Sequence, residues 1–172
     1  MTIRIRPLAE GDRSAFLDAA RASRELHHHW TTPPVTDVAF DAYLARAAGG
    51  TMVCLLVVGE RDDDLVGVYN LSEIVRGSFQ NAYLGYYAFV PHDGTGAMRA
   101  AMPLVTAHTF DELGLHRLQA NVKPENTRSR RLLEATGWRE EGLARRYLLI
   151  DGAWRDHVMY AFTVEDAARH RA

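Results

Sequence analysis

Residues 121 to 142 read NVKPENTRSRRLLEATGWREEG, and much of the fold can be argued outward from them. TRSRRLLEAT has the character of a helix, Asn126 stands where a cap belongs, and Gly137 stands where a helix stops. On that reading Ser129 falls in the first helical turn. Just upstream, HRLQANV alternates so that Leu118, Ala120 and Val122 share one face, as in a half-buried strand. A strand therefore runs directly into a polar helix start. Asn126 either caps its own helix with Ser129 a bystander, or the two side chains face a ligand.

One strand–helix unit earlier lies a second such junction, VPHDGTGAMRAAM, Val90 to Met102. A helix start leaves backbone N–H groups unpaired and partly positive, and glycine lets an anion come close. Gly94-Thr95-Gly96 leads into such a helix, so the turn suits a phosphate or pyrophosphate. It equally suits a plain sharp turn from strand to helix. The P-loop pattern is absent, because no Gly-Lys-Ser/Thr follows Gly96, and Arg99 stands where a dinucleotide motif wants a third glycine. If the two strands run parallel, both helix starts lie at the same edge of the sheet.

The remaining chain supplies a sheet around this pair. IRIRPL reads as a strand ended by Pro7, and Asp12 as the cap of a helix burying Phe16, Leu17 and Ala20. ELHHHWTTPPVT breaks that helix at Pro33-Pro34, and a second helix starts at Asp37 and closes at Gly49-Gly50. TMVCLLVVGE, LVGVYNLSEIV and NAYLGYYAFV form a meander, with RDDD and RGSFQ as its turns. The helix after the glycine turn runs to about Leu113 and stops at Gly114. Near the end, Asp151-Gly152 between two apolar runs signals a tight hairpin. The order is β-α-α-β-β-β-α-β-α-β-β, an α+β (mixed α/β) chain with helices packed on a mixed sheet. With 172 residues and no linker or repeat, one domain over 1–172 is expected.

Composition excludes some classes. A net charge of −2 argues against bulk attraction to nucleic acid or to a membrane surface. No apolar run reaches the ~18 residues of a spanning helix, and no leader-like segment opens the chain. A cytoplasmic location is expected. Cys54, the single cysteine, lies in an apolar run and reads as an inert buried thiol. His27, His28 and His29 are consecutive, so on a helix they point apart, and no metal site is expected.

PHDGTGAM together with NVKPENTRSRRLLEATGWREEG resembles the Gcn5-related N-acetyltransferase (GNAT) superfamily. The resemblance is closest to the branch that acetylates ribosomal-protein N-termini. It rests on Asn126, Ser129, Arg130, Gly137, Trp138, Glu141 and Gly142, extends to DGAWRDHVMYAF, and covers about residues 3 to 165. It implies a three-layer fold with about seven strands, splayed between the fourth and fifth, and helices on both faces. It also implies acetyl-CoA as co-substrate. The pantetheine arm would lie in the splay, on backbone groups of Phe89 and Val90, held by Asn126. The pyrophosphate would sit on the turn formed by His92, Gly94, Thr95, Gly96, Ala97 and Met98. One departure stands out: the family opens this turn with Arg or Gln, where this chain offers only Pro91 or Asp93. Asp93 is expected to face solvent, with Arg99, Arg130 or Arg131 supplying positive charge.

The implied chemistry is direct attack of a primary amine, a protein N-terminus or a small molecule, on the thioester. Ser129 is the candidate acid for the departing thiolate, and Glu73 the candidate base, acting through water if burial raises its pKa. Tyr147 and His157 are weaker candidates for chemistry and acceptor contact respectively. A backbone amide near Val90 can serve the oxyanion. His29 and Trp30 are expected in a loop flanking the acceptor, with Glu73 and His157. A CoA-binding module without transfer is the alternative function, and a monomer or a homodimer the expected assembly.

Overall fold

The computed structural model describes residues 2–60 and 63–171. Seven strands form one sheet: β1 (Ile3–Pro7), β2 (Val53–Gly59), β3 (Leu65–Val75), β4 (Asn81–Ala88), β5 (Arg117–Val122), β6 (Arg139–Ile150) and β7 (Ala153–Thr163). Their spatial order is β1-β2-β3-β4-β5-β7-β6. Every neighbouring pair is antiparallel except β4 and β5. That parallel pair matches Asn81 to Arg117 and ends at Tyr83 opposite Gln119, although both strands continue. Beyond Tyr83 the sheet is open, which is the expected splay.

The helices are α1 (Arg13–Ala22), α2 (Arg24–His27), α3 (Asp37–Ala48), α4 (Ala97–Ala107), α5 (Thr127–Ala135) and α6 (Val164–Arg171). Thr36 caps α3 by accepting the Ala39 N–H at 3.3 Å. One face of the sheet packs on α1 and α3 through Phe16, Leu17, Phe40, Tyr43 and Tyr87, with Phe16 and Phe40 edge to face at 5.4 Å. The other packs on α4 and α5 through Tyr69, Leu84, Met102, Leu118 and Leu133. Each fully buried side chain of this kind contributes roughly 1.5–3 kcal/mol. The Asp151-Gly152 turn has positive φ at both residues (50° and 73°), as a two-residue hairpin with right-handed twist requires.

Three details differ from the sequence reading. The first helix ends at Ala22, before the prolines, and α2 follows as a single extra turn. The closing helix α6 was not expected. Asp12 does stand at the N-cap position of α1, but its carboxylate does not cap that helix. It accepts the Ala9 N–H at 2.8 Å and a two-pronged pair from Arg6 at 2.6 and 2.8 Å, because a guanidinium is the stronger donor. Of the turn expected over RDDD, residues 61 and 62 lie outside the described residues.

Candidate active site

The glycine turn sits at the open end of β4. Gly94 and Gly96 have φ of +76° and +86°, and Gly96 is the N-cap of α4. Both positions need the left-handed region that only glycine enters freely. The turn is braced from within: the His92 N–H donates to the Phe89 carbonyl at 2.9 Å, and the Thr95 hydroxyl to the His92 carbonyl at 2.7 Å. The Ala97 N–H reaches the Thr95 hydroxyl at 3.4 Å, and His92 pairs with Asp64 at 2.8 Å. Among the described residues, the N–H groups of Gly94, Gly96 and Met98 meet no protein acceptor. Three unpaired donors at a helix start fit a bound anion. Thus His92, Thr95 and Ala97 brace the turn, while the N–H groups of Gly94, Gly96 and Met98 are left open.

The charge at this turn is arranged otherwise than expected. Asp93 does not simply face solvent. Its carboxylate pairs with both terminal nitrogens of Arg128 at 3.3 Å. Arg128 comes from the first turn of α5, and a Cβ built on Gly94 would lie 3.5 Å from its Nη2. Arg128 is therefore the cation beside the turn. Arg99 points to the Ala135 carbonyl, Arg130 to Tyr160 and Glu140, and Arg131 is exposed. The sequence reading overlooked Arg128 because nothing local links it to a residue 35 positions away.

The β4 edge also differs in detail. The Phe89 N–H donates to the Val66 carbonyl at 2.8 Å, continuing the pairing with β3. The Val90 N–H donates to the Ser23 hydroxyl at 3.0 Å, and the Ala88 carbonyl meets His27 Nε2 at 2.7 Å. The backbone groups of Phe89 and Val90 expected to hold the pantetheine arm thus have both N–H groups engaged, by β3 and by the junction of α1 and α2, and the Val90 N–H expected to serve the oxyanion is taken by Ser23. His27 is buried, and burial holds its pKa below the usual imidazole range despite the bond to Ala88.

Across the opening, Asn126 Oδ1 accepts the Ser129 N–H at 3.1 Å and caps α5. Its Nδ2 is the part of the side chain that remains to meet a ligand. The Ser129 hydroxyl lies 2.7 Å from the Tyr86 hydroxyl, so a β4 side chain reaches across the splay to α5. Sequence reasoning missed Tyr86, which looked like one more apolar residue in YLGYYAFV.

The opposite face of the splay carries the acceptor candidates. Side chains alternate along β4, so Tyr83 and Gly85 share the α1–α3 face with Tyr87. Gly85 is exposed, and a Cβ there would meet nothing within 4 Å. Beside this open floor, the Tyr147 hydroxyl reaches that of Tyr83 at 3.4 Å, and the His157 ring centroid is 5.9 Å from that of Tyr147. Burial and the Tyr83 hydroxyl push Tyr147 up to about 12. His157 is buried, with Nδ1 3.1 Å from the Arg155 carbonyl. Glu73 is exposed on a bulge of β3 with φ of +49°, so the burial its proposed role requires is missing. Lys123 clasps the loop after α2: its ammonium donates to the His29 carbonyl at 2.6 Å and lies 5.9 Å from the Trp30 ring centroid. This places His29 and Trp30 over the end of β5.

Cys54 is buried beneath that face, and burial pushes its thiol up to about 12. Among the described residues, no group of three or more His, Cys, Asp or Glu side chains could hold a metal. No helix among them is long and apolar enough to cross a membrane.

A mixed sheet opened between its one parallel pair, with a glycine-capped helix start beside the opening, defines the class of α/β fold to which the chain conforms. The family model described as acetyltransferase (GNAT) domain matches residues 2–139, and the chain belongs to that family. It is 43% identical over 105 residues to the probable N-acetyltransferase YjcK of Bacillus subtilis (strain 168), covering 61% of this chain and 58% of that protein. It has the same identity over 105 residues to the ribosomal protein uS5-alanine N-acetyltransferase of Escherichia coli (strain K12), covering 61% and 54%. The match thus spans little more than half the length of these curated relatives. Among solved structures, Mycobacterium smegmatis RimJ in complex with CoA-disulfide superposes with a TM-score of 0.84 at 32% identity, covering 97% of this chain and 87% of that one.

Proposed function

We propose that the protein transfers an acetyl group from acetyl-CoA to a primary amine, either a protein N-terminal α-amine or a small-molecule amine. The observation that carries this reading is the fan of free N–H groups at Gly94, Gly96 and Met98, with Arg128 beside it, at the mouth of the splay. The fan would hold the pyrophosphate, Arg128 would add the side-chain N–H donors that the family's opening Arg or Gln supplies elsewhere, and Asn126 Nδ2 would steady the pantetheine arm. The names of the relatives support the same direction: one acetylates the alanine of a ribosomal protein, and another is seen with a CoA disulfide.

The thioester supplies an activated acyl carbon. The amine must be neutral to attack it; a C–N bond forms as the C–S bond breaks, and the amine's surplus proton passes to water. The Ser129 hydroxyl would stabilise or protonate the departing thiolate. Glu73 is exposed and lacks the burial a base role would need, so the proton's acceptor in this reading is water. Tyr83, Tyr147 and His157 would line the acceptor side at Gly85. Cys54 takes no part, since a buried thiol held this high forms no useful thiolate. The proposal places the protein in the cytoplasm, where acetyl-CoA is available. The test is an acceptor panel of peptides and small amines with acetyl-CoA, read by free thiol. Release that depends on one acceptor class supports transfer. CoA binding without release from any acceptor would favour the non-catalytic module.

A further inference from the structure

On the α4–α5 face the Tyr86 side chain crosses the splay from β4 and ends on Ser129. Its hydroxyl lies 2.7 Å from Ser129 Oγ and 3.2 Å from the Ser129 carbonyl. We propose that Tyr86 is a positioning residue that orients the Ser129 hydroxyl proton toward the leaving sulfur; this rests on the transferase reading above.

The direction of the Tyr86–Ser129 hydrogen bond decides where the serine proton points. A serine hydroxyl has one proton and can accept from another donor. If Ser129 donated to Tyr86, its proton would be turned away from the opening. The phenol's single proton also has the Ser129 carbonyl at 3.2 Å, but Oγ at 2.7 Å is the nearer acceptor, and when Tyr86 donates to it the serine proton is left free for the splay. Burial pushes the Tyr86 phenol above its usual range, with only a partial offset from Ser129, so it stays protonated and available as a donor. The same burial makes it a poor final acid, because the buried phenolate it would leave is disfavoured. Orientation, not net proton loss, is the role that fits.

The ring is held for this task. Tyr86 packs against Tyr69 with centroids 5.3 Å apart, and the Tyr69 hydroxyl donates to the Met98 carbonyl at 2.7 Å. Met98 lies in the first turn of α4, and Ser129 in the first turn of α5. The two tyrosines therefore tie the helix start that would hold the pyrophosphate to the one that would meet the sulfur.

The test is a double-mutant cycle of Tyr86→Phe and Ser129→Ala, with kcat and the KM for acetyl-CoA measured for all four proteins and melting temperatures recorded. Tyr86→Phe keeps the ring and loses only the hydroxyl. The expected result is a drop in kcat of about tenfold, a KM within twofold of wild type, and no further drop when Tyr86→Phe is added to Ser129→Ala. A full-strength Tyr86→Phe enzyme, an effect confined to KM, or an equal drop on the Ser129→Ala background would each overturn the inference. Wild-type turnover is the reference. A wild type that releases no thiol with any acceptor sinks the transferase reading and this inference with it. An active wild type with an unaffected Tyr86→Phe sinks this inference alone.

Discussion

Gly96→Ala separates the turn's role in folding from its role in seating an anion. Gly96 has φ of +86°, and an alanine forced into the left-handed region costs about 1–2 kcal/mol. No protein atom lies within 4 Å of the added Cβ, so no clash adds to this. At roughly 2–4 °C per kcal/mol for a chain this size, the melting temperature should fall by about 2–8 °C. The methyl group would project where the free N–H groups gather and push an anion away from them. Losing one hydrogen bond to a charged group is worth about 1.5–3 kcal/mol, or about 10- to 150-fold in Kd. The control is Gly77→Ala, in the turn joining β3 to β4 at the far end of β4. Gly77 has φ of +71° and equally open surroundings. It should show the same loss in melting temperature with an unchanged Kd. The assay is calorimetric titration of CoA into both variants, alongside thermal unfolding. Equal CoA affinities in the two variants would refute the placement of the pyrophosphate.

Three further outcomes are expected. Arg128→Gln should weaken CoA binding about tenfold yet leave the KM for S-acetylpantetheine, which lacks the phosphates, unchanged; titration and steady-state kinetics check both. Cys54→Ala should retain wild-type turnover and lose about 1–3 kcal/mol of stability in denaturant, because it opens a small void and leaves the buried Tyr43 hydroxyl, now 3.0 Å from Sγ, with one partner fewer. Asp166 is buried, which raises its pKa, but bonds from Thr163 and the charges of Arg169 and Arg139 outweigh this and hold it below the usual carboxylate range. A depressed carboxylate pKa adds stability above the unfolded value of about 3.9, and that stability is lost as pH falls through the folded value. Wild type should therefore lose its margin over Asp166→Asn as pH falls from about 5 to below 4, as followed by urea unfolding.

What the sequence made legible was local. The cap at Asn126, the glycine turn at Gly94-Thr95-Gly96 leading into a helix, and the Asp151-Gly152 hairpin each depend on a few adjacent residues, and each is present. The alternation of Leu118, Ala120 and Val122 likewise placed β5, all three being buried. What was hidden depends on partners far apart in the chain. Asp93 meets Arg128, Tyr86 meets Ser129, and Val90 meets Ser23 across 35, 43 and 67 positions. Spacing rules carry no information about such pairs. Asp12 shows the same limit from the other side: its position as a cap was readable, but competition from Arg6 for its carboxylate was not.

The central claim is that the splay and its glycine turn seat acetyl-CoA for transfer to an amine. The most direct measurement is free-thiol release from acetyl-CoA by the wild-type protein across a panel of peptide N-termini and small amines, with the acetylated product identified by mass. The account predicts release that saturates with one acceptor class and a matching mass gain on its primary amine. No thiol release with any acceptor, together with no rise in melting temperature at millimolar acetyl-CoA, would contradict it.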